Sequence, residues 1–305
     1  MDDNCSNQVA KQTTNSVVKQ TPACIGRFAP SPSGPLHFGS LVAAIASYMV
    51  AKSNGGRWLV RMEDLDPPRE VAGAAQQILT SLESFGLYWD GEVVYQSQRQ
   101  SLYQQKLEEL IRQKIVYYCS CSRRAIENRN QAVYDGHCRG QLKADRLNSQ
   151  AVRIMFAGGF ECFDDQLCGH CQFYSKADKQ DFIIKRRDGL FAYQLAVVCD
   201  DIEQGVDHLV RGMDIIDSTP RQNYLYHCFA KAPPIYYHIP LVLDGAGRKL
   251  SKSSGAPRLN ENNKTDLLLK AFSHLGQKVD AAMLDADSEE LIAYFEKHWQ
   301  TELIK

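Results

Sequence analysis

Residues 27–40 read RFAPSPSGPLHFGS, and this stretch joins an apolar strand to a helix through a turn rich in proline and glycine. Residues 24–29 form the strand candidate, which the Pro/Ser/Gly cluster of residues 30–35 ends. Apolar side chains then recur at helical spacing and predict a helix over residues 39–53. A strand that runs through a tight turn into a helix is a typical opening unit of an α/β protein.

The same alternation of strand and helix continues along the chain. A second strand candidate, residues 58–62, ends in an acidic run, and two helical patterns follow over residues 70–86 and 97–115. Further strand candidates lie near residues 208–212 and 236–243. Because strands that alternate with helices pair in parallel, we predict an α/β fold with a doubly wound parallel sheet.

Three other parts of the chain differ from this pattern. Residues 1–22 are polar and lack an apolar stretch, which predicts a disordered tail and not a secretory signal. Residues 119–190 hold six of the ten cysteines and few long periodic segments, which favours an inserted subdomain. From residue 264 to the end the pattern is helical.

The composition of the 305-residue chain limits the classes of function. No apolar run reaches the about 20 residues that span a bilayer, so we expect no membrane partner and a cytoplasmic location. The net charge of −1 argues against a non-specific polyanion binder but leaves room for a local basic face. The basic runs Lys185-Arg186-Arg187 and Arg123-Arg124 are either solvated surface or RNA contacts.

The turn before the first helix suits a phosphate group. A helix N-terminus presents unpaired N–H groups and a partial positive charge, and Gly39 lets a nucleotide lie close to the backbone. His37 can donate to a phosphate oxygen as negative charge builds in a transition state. The alternative is an ordinary strand-to-helix turn in which Ser40 only caps the helix.

A second phosphate-binding candidate follows about two hundred residues later, where residues 247–255 read GRKLSKSSG. A lysine is a compact cation on a flexible stem, so Lys252 can neutralise a triphosphate while pyrophosphate leaves. Together and in this order, the two motifs resemble the ATP-handling signatures of a class I aminoacyl-tRNA synthetase. The resemblance implies that a carboxylate attacks the α-phosphate of ATP, with His37 and Lys252 as catalytic candidates. Without the first motif, the loop would be interpreted as solvated surface.

Charged residues near the predicted strand ends suggest which molecule carries that carboxylate. Arg27 and Glu63 lie near the ends of the first two strands, and Tyr193 and Arg211 lie in later apolar segments. Ligands bind at such carboxyl ends; an arginine can fork onto a carboxylate, and a glutamate can hold an ammonium. The set fits an amino acid with an acidic side chain. The alternatives are surface ion pairs for the charged residues and a core aromatic for Tyr193.

Three thiols in one short stretch, Cys119, Cys121 and Cys138, indicate a metal site. Zinc takes four ligands, and either His137 or Tyr134 could supply the fourth. Spacing alone does not separate this group from a rival cluster, which comprises Cys162, Cys168, His170 and Cys171. The alternative for all of these thiols is free buried cysteine.

Five motifs, in this order, resemble the catalytic half of glutamyl-tRNA synthetases over residues 25–260. They are RFAPSP (27–32), LHFG (36–39), RMEDLD (61–66), LVRGMD (209–214) and KLSKS (249–253). The chain ends about where such an enzyme would begin its anticodon-binding domain. Together with the pattern Cys119, Cys121, Tyr134, Cys138, this shortening resembles the glutamyl-Queuosine tRNA(Asp) synthetase family.

The resemblance implies a Rossmann-type catalytic domain (23–118 and 191–244), a zinc-bearing insertion (119–190), and a lysine loop with a short C-terminal helical bundle (245–305). It implies that ATP with Mg²⁺ activates L-glutamate without tRNA. Glutamate is then transferred to the queuosine base in the anticodon of tRNA(Asp). We expect one structural Zn²⁺ per chain and a monomer.

The resemblance also implies which residues meet each ligand. Glutamate would contact Arg27, Ala29, Ser31, Glu63, Tyr193 and Arg211. ATP would contact His37, Gly39, Ser40, Lys249 and Lys252. The zinc ligands would be Cys119, Cys121, Tyr134 and Cys138. Ser40 stands where many class I members carry a second histidine, so we expect it to replace that donor only partly.

Two other functions remain open at this point. A truncated glutamyl-tRNA synthetase would use the same motifs to charge a tRNA 3′ end, although the missing anticodon domain weakens this hypothesis. A non-catalytic, zinc-stabilised RNA-binding protein is the second alternative. The intact Lys252, Glu63, Arg27 and Arg211 argue against it.

Overall fold

The computed structural model describes residues 24–129, 133–141, 149–173, 180–245, 247–250 and 257–305. The predicted tail, residues 1–22, and the predicted catalytic Lys252 lie outside the described residues. The strands are β1 (Ile25–Phe28), β2 (Arg57–Met62), β3 (Val94–Tyr95), β4 (Val116–Cys119), β5 (Ala151–Ile154), β6 (Cys162–Asp165), β7 (Gly169–Gln172), β8 (Phe182–Lys185), β9 (His208–Gly212) and β10 (Ile235–Ile239). The helices are α1 (Phe38–Ser53), α2 (Ala74–Ser84), α3 (Gln100–Arg112), α4 (Arg123–Glu127), α5 (Tyr193–Gln204), α6 (Thr219–Cys228), α7 (Lys264–His274) and α8 (Ser288–His298).

The described strands form two sheets. The larger sheet has the order β3-β2-β1-β9-β10-β6-β7, and its neighbouring strands are parallel except in the β6–β7 hairpin. The chain order reverses between β1 and β9, so these strands mark the switch point at which open α/β sheets bind ligands. The prediction of an α/β fold with a mostly parallel sheet is confirmed.

Helix α1 is buried on nearly all sides because it lies between the larger sheet and two later helices. It contacts β1, β2 and β9 as well as α7 and α8, and its side chains are buried without interruption from Ala44 to Ala51. A helix that is apolar all round is typical of a core position. This burial fixes the N-terminus of α1 beside the carboxyl end of β1. No described helix is both long and apolar enough to cross a membrane.

The insertion is only partly separate from the larger sheet. Strands β4, β5 and β8 form a three-stranded antiparallel sheet, whereas the β6–β7 hairpin pairs with β10 and extends the larger sheet. Phe163 on β6 packs edge-on against Tyr236 on β10, with ring centroids 5.5 Å apart. The structure therefore differs from the predicted insertion of residues 119–190, because the hairpin finds its apolar partner on a strand far along the chain.

Helices α7 and α8 pack against each other and against α1. Phe272 of α7 stacks on Phe295 of α8 with ring centroids 3.7 Å apart, and both belong to the apolar cluster that contains α1. A capping box of Asp287 and Glu290 begins α8. The C-terminal helices therefore share the core of the main α/β domain.

Candidate active site

A cavity of about 380 Å³ opens at the switch point, beside the carboxyl ends of β1, β9 and β10. The turn after β1, the first residues of α1 and the end of β9 line it. The cavity brings together four of the residues that the resemblance assigns to ATP, namely His37, Gly39, Ser40 and Lys249. Ser31, a glutamate candidate, also lines it.

His37 is the N-cap of α1, a position that the alternative interpretation had given to Ser40. Its Nδ1 accepts a hydrogen bond from the Ser40 backbone N–H at 3.3 Å. Because Nδ1 is the acceptor, a neutral His37 ring carries its proton on Nε2 and can use it as a donor. A Cβ atom on Gly39 would lie 3.1 Å from Cε1 of this ring. A side chain at this position would therefore crowd the imidazole, and glycine avoids that contact.

Both flanks of the segment that contains Lys252 lie against the His37 turn. On one flank, Leu250 N–H donates to Val242 at 2.8 Å and Leu250 lines the cavity. On the other, Arg258 forms a β-bridge with His37, and Leu259 N–H donates to the carbonyl oxygen of Leu36 at 3.3 Å. Leu250 and Arg258, which flank residues 251–256 in the sequence, therefore both lie beside the same turn.

Arg27 and Glu63 belong to a buried cluster of opposite charges. Arg27 is 5% exposed, and its Nε lies 3.3 Å from Asp201 Oδ1. Arg61 Nη2 lies 2.7 Å from the same Asp201 oxygen and 3.8 Å from Glu63 Oε1. The Glu63 N–H donates to the Pro30 carbonyl at 3.0 Å, which places Glu63 next to the turn that contains the predicted glutamate contacts.

Burial raises the pKa of Glu63 to about 7, although the guanidinium groups of Arg61 and Arg27 oppose the rise. Burial also raises the pKa of Tyr193, the first residue of α5, and the next contribution comes from the charge of Glu63. The charges of Arg211 and Arg27 also act on Tyr193. These four predicted residues therefore lie in one electrostatically coupled region.

Arg211 is held by neutral groups. Its Nε donates to His238 Nε2 at 2.9 Å, Nη1 donates to Gln222 Oε1 at 2.5 Å, and Nη2 donates to Thr219 Oγ1 at 2.7 Å. A guanidinium has five N–H groups, so these bonds leave two for a ligand. Arg211 is 4% exposed, so the alternative of a surface ion pair is wrong for this residue, as it is for the buried Arg27.

Several residues that support the site were not predicted from the sequence. Asp201 pairs with Arg27 and Arg61, and Asp165 holds His238, the partner of Arg211. A signal was present for some of them: Arg61 interrupts the apolar strand WLVRM, and Asp200 and Asp201 follow the apolar run LAVVC. A charged residue inside a buried segment indicates a buried partner.

A second cluster of chemically active side chains lies at the end of β4. The Sγ atoms of Cys119, Cys121 and Cys138 lie within 4.8 Å of one another. Tyr134 is buried, its Oη is 3.5 Å from Cys119 Sγ, and it accepts from the Cys138 N–H at 3.0 Å. His137 is exposed and does not join the group. The three thiols could hold a metal ion, with the Tyr134 oxygen as the nearest fourth ligand.

Two arginines lie against these thiols. Arg153 Nε is 3.4 Å from Cys119 Sγ, and Arg129 Nη2 is 3.7 Å from Cys121 Sγ. Burial would raise the pKa of Cys119, but hydrogen bonds from Tyr134 and Arg153 outweigh it and lower that pKa. These contacts favour the thiolate of Cys119, which is the form that binds metal, whereas burial and the neighbouring Cys138 raise the pKa of Cys121 to about 11.

The rival cysteine cluster is not brought together. Cys168 Sγ contacts the carbonyl of His238 at 3.6 Å, and His170 Nδ1 lies 2.8 Å from Asp164. Among the described residues, none of the rival ligands belongs to a group of three or more potential ligands whose ligand atoms lie within 4.8 Å of one another. Cys162 and Cys171 face Gln172 and Phe163 across the β6–β7 hairpin.

The chain matches the family model of the catalytic domain of class I tRNA synthetases (E and Q) over residues 24–268. The sheet order and the cavity at the switch point agree with this match. The match shows that the chain contains a class I aminoacyl-tRNA synthetase catalytic domain.

Curated relatives cover most of the chain and narrow the class. It is 48% identical to a glutamyl-Q tRNA(Asp) synthetase of Pseudomonas syringae pv. syringae (strain B728a), over 93% of this chain and 95% of the relative. It is 49% identical to one of Escherichia coli (strain K12), over 90% of this chain and 89% of the relative. The chain therefore belongs to the glutamyl-Q tRNA(Asp) synthetase family.

Solved structures agree on the fold. A glutamate tRNA ligase from Elizabethkingia meningosepticum, crystallised in complex with its amino acid, superposes with a TM-score of 0.76 at 22% identity. The match covers 92% of this chain and 66% of that chain. The present chain thus spans about two thirds of that ligase.

Proposed function

We propose that this protein activates L-glutamate with ATP, without tRNA, and transfers it to the queuosine base in the anticodon of tRNA(Asp). An oxygen of the glutamate α-carboxylate attacks the α-phosphorus, and pyrophosphate leaves. A hydroxyl of the queuosine ring then attacks the carbonyl of glutamyl-adenylate, and AMP leaves. The observation that carries the proposal is the buried Arg211, which is held by neutral partners and whose charge acts, like that of Glu63, on Tyr193.

Three features of the cavity support its use for ATP. The N-terminus of α1 presents N–H groups to a phosphate, and His37 can donate from Nε2 to an oxygen that gains charge. Lys249 forms an ion pair with Asp214 at the wall of the cavity. Mg²⁺, bound with ATP, would neutralise phosphate charge.

Lys252 is proposed as the cation that meets the leaving pyrophosphate. Lys252 follows Leu250 by two residues in the sequence. Leu250 itself lines the cavity. A lysine is a compact cation on a flexible four-carbon stem, which suits a leaving pyrophosphate.

The charge pattern of the region around Arg27, Glu63, Tyr193 and Arg211, which is the proposed glutamate pocket, supports glutamate as the amino acid. Ionised Glu63 would hold the ammonium, and Arg27 and Arg211 are cations for two carboxylates. Arg27 already shares Asp201 with Arg61, whereas Arg211 has no carboxylate partner among the described residues. Tyr193, Ala29 and Ser31 would complete the contacts.

We expect the glutamate dependence of the reaction to change with pH. Because the pKa of Glu63 is raised to about 7, the free enzyme loses the carboxylate that holds the ammonium as pH falls below about 7. The value of kcat/KM for glutamate should then fall by up to about tenfold per pH unit. ATP–pyrophosphate exchange from pH 5.5 to 8.5 measures it.

Glu63→Gln separates this effect from a general loss of structure. The variant should have a lower kcat/KM for glutamate without the decline below pH 7. Because the pKa of Glu63 is higher in the folded state than in the unfolded state, ionisation of Glu63 opposes folding. The free energy of unfolding therefore falls as the pH rises from the ordinary glutamate pKa to about 7. The thermal unfolding temperature of Glu63→Gln at pH 8 should therefore not be lower than that of the wild-type protein. A decline that persists in the variant would contradict the assignment.

We propose that Cys119, Cys121, Cys138 and Tyr134 hold one structural Zn²⁺. Zn–S bonds of about 2.3 Å in a tetrahedral site place sulfurs about 3.8 Å apart, and Cys121 Sγ lies 3.6 Å from Cys138 Sγ. Three thiolates and a phenolate would leave excess negative charge on the zinc site, which Arg129 and Arg153 would offset.

Cys138→Ser is expected to lower the zinc content of the purified protein from about one per chain to near zero, because two thiolates and a phenol bind the ion weakly. Tyr134→Phe should weaken retention against a chelator, while Cys168→Ser, in the rival cluster, should retain zinc fully. Metal analysis by plasma emission measures all three. Full zinc in Cys138→Ser would contradict this site.

A basic segment beside the pocket supports an RNA partner. Lys185-Arg186-Arg187 leads from β8 toward Tyr193, and Arg186 reaches Asp66 at 3.2 Å, three residues beyond Glu63. Arg186 and Arg187 are exposed. We propose that Arg186 and Arg187 contact phosphates of an RNA whose reacting base enters the glutamate pocket.

The transfer step is tested by locating the label. Radiolabelled glutamate is incubated with ATP, the enzyme and tRNA(Asp) that carries queuosine, and the product is digested with nuclease. We expect the label on the queuosine nucleoside and none on tRNA(Asp) that lacks queuosine. A label on the 3′-terminal adenosine would instead establish the alternative of a truncated tRNA-charging enzyme.

A further inference from the structure

A hydrogen-bonded chain crosses three neighbouring strands and ends at Arg211. Asp165, at the end of β6, bonds through Oδ2 to His238 Nδ1 at 2.6 Å. His238, on β10, accepts through Nε2 from Arg211 Nε, on β9, at 2.9 Å. Asp165 is 3% exposed and His238 is 1% exposed. This series of hydrogen bonds links the edge hairpin β6–β7 to the proposed glutamate pocket.

The direction of these bonds determines the tautomer of His238. An arginine Nε–H only donates, so the His238 Nε2 must accept and the ring proton must reside on Nδ1. That proton is donated to the Asp165 carboxylate. Burial and the charge of Arg211 lower the pKa of His238, against the opposing effects of Asp165 and Asp214, so the neutral ring is favoured.

Asp165 is itself fixed by the turn that follows β6. Its Oδ1 accepts from the backbone N–H groups of Leu167 and Cys168 at 2.9 and 3.0 Å, and Oδ2 also accepts from the His238 N–H at 3.1 Å. With both oxygens engaged, the carboxylate has little freedom to rotate. The position of the His238 ring therefore depends on the hairpin.

The neutrality of His238 matters for what Arg211 can bind. A carboxylate in the place of this ring would pair with Arg211 and cancel the charge that attracts a ligand. An imidazole nitrogen accepts the hydrogen bond and aligns the guanidinium plane while leaving its charge unpaired. Thr219 and Gln222 act in the same way on the other two nitrogens.

We propose that His238, held by Asp165, is a positioning residue that orients Arg211 to bind a carboxylate of glutamate. The inference rests on the proposed function, since it assumes glutamate as the substrate of this pocket. It makes glutamate affinity depend on the β6–β7 hairpin, which the predicted domain boundary had assigned to the insertion.

The test compares two substitutions of His238 by ATP–pyrophosphate exchange without tRNA. His238→Leu removes the acceptor and should raise KM for glutamate by roughly tenfold to a hundredfold, with KM for ATP within about twofold of wild type. His238→Gln retains a neutral acceptor and should recover most of the affinity for glutamate.

His208→Leu is the matched control. His208 also bonds to a carboxylate, Asp207, at 2.8 Å, but it lies at the amino end of β9, away from the cavity. The KM of His208→Leu for glutamate should equal that of the wild-type protein. An unchanged KM in His238→Leu would overturn the inference, as would an equal rise in both KM values or a His238→Gln variant no better than His238→Leu.

A measurement on the unsubstituted protein covers the case in which His238→Leu does not fold. Nitrogen-15 NMR of labelled histidines should show His238 as the neutral Nδ1–H tautomer at pH 6. The His238 resonances are assigned by their absence from the spectrum of His238→Gln. Its Nε2 resonance should shift when glutamate binds. An Nε2–H tautomer would overturn the inference. Wild-type protein without glutamate-dependent exchange would instead refute the proposed function.

Discussion

Arg211→Ala is expected to lower kcat/KM for glutamate in ATP–pyrophosphate exchange by roughly a hundredfold to a thousandfold. Arg211 is buried and donates only to His238, Gln222 and Thr219 among the described residues. Loss of one partner of a buried charge pair costs about 2–5 kcal/mol, and about 1.4 kcal/mol corresponds to a tenfold change. KM for ATP should stay within a few-fold because the cavity lining does not include Arg211.

Two further variants control for charge and for general effects. Arg211→Lys keeps a positive charge but loses the planar fork, so it should recover only part of the activity. Arg57→Ala removes an exposed arginine at the amino end of β2 and should behave as wild type. If Arg211→Ala kept the wild-type kcat/KM for glutamate, this pocket would not bind the substrate.

Lys252→Ala is expected to reduce kcat of the exchange reaction by about a hundredfold to a thousandfold, the typical result of removing one group that stabilises developing charge. KM for glutamate should change little, because the lysine would meet the phosphates and not the amino acid. The flanks of its segment, at Leu250 and Arg258, lie beside the His37 turn. Steady-state exchange at saturating glutamate measures the effect.

Lys270→Ala is the matched control for this prediction. Lys270 is an exposed lysine on α7 that pairs with Asp266, and its loss should leave the exchange rate unchanged. A Lys252→Ala protein with wild-type kcat would contradict the assigned role. If that protein also supported function in cells, the alternative of a non-catalytic RNA-binding protein would become the better account.

Local signals in the sequence predicted most of the framework. The turn at residues 30–35 and the helix predicted over residues 39–53 correspond to the end of β1 and to α1, Phe38–Ser53. Such elements follow from turn chemistry and periodicity, which act over a few residues. The gathering of His37, Gly39 and Lys249 at one cavity also follows from parallel strands that end at the same edge.

Contacts between distant segments were beyond these local signals. Asp165 and His238 are 73 residues apart, and nothing in their immediate neighbours indicates that β6 pairs with β10. Likewise, spacing left both His137 and Tyr134 open as the fourth ligand, and the contact of Tyr134 with Cys119 favours the tyrosine that the resemblance implies. Tertiary packing determines which distant residues come into contact, and residue order alone does not show it.

The central claim is that glutamate is activated without tRNA in the pocket around Arg211. ATP–pyrophosphate exchange with purified wild-type protein, in the absence of tRNA, tests it directly against aspartate and glutamine. We predict robust exchange with glutamate and little with aspartate, whose shorter side chain would not reach both arginines, or with glutamine, which lacks the second carboxylate. Exchange that appears only after tRNA is added, or that does not distinguish the three amino acids, would contradict the account.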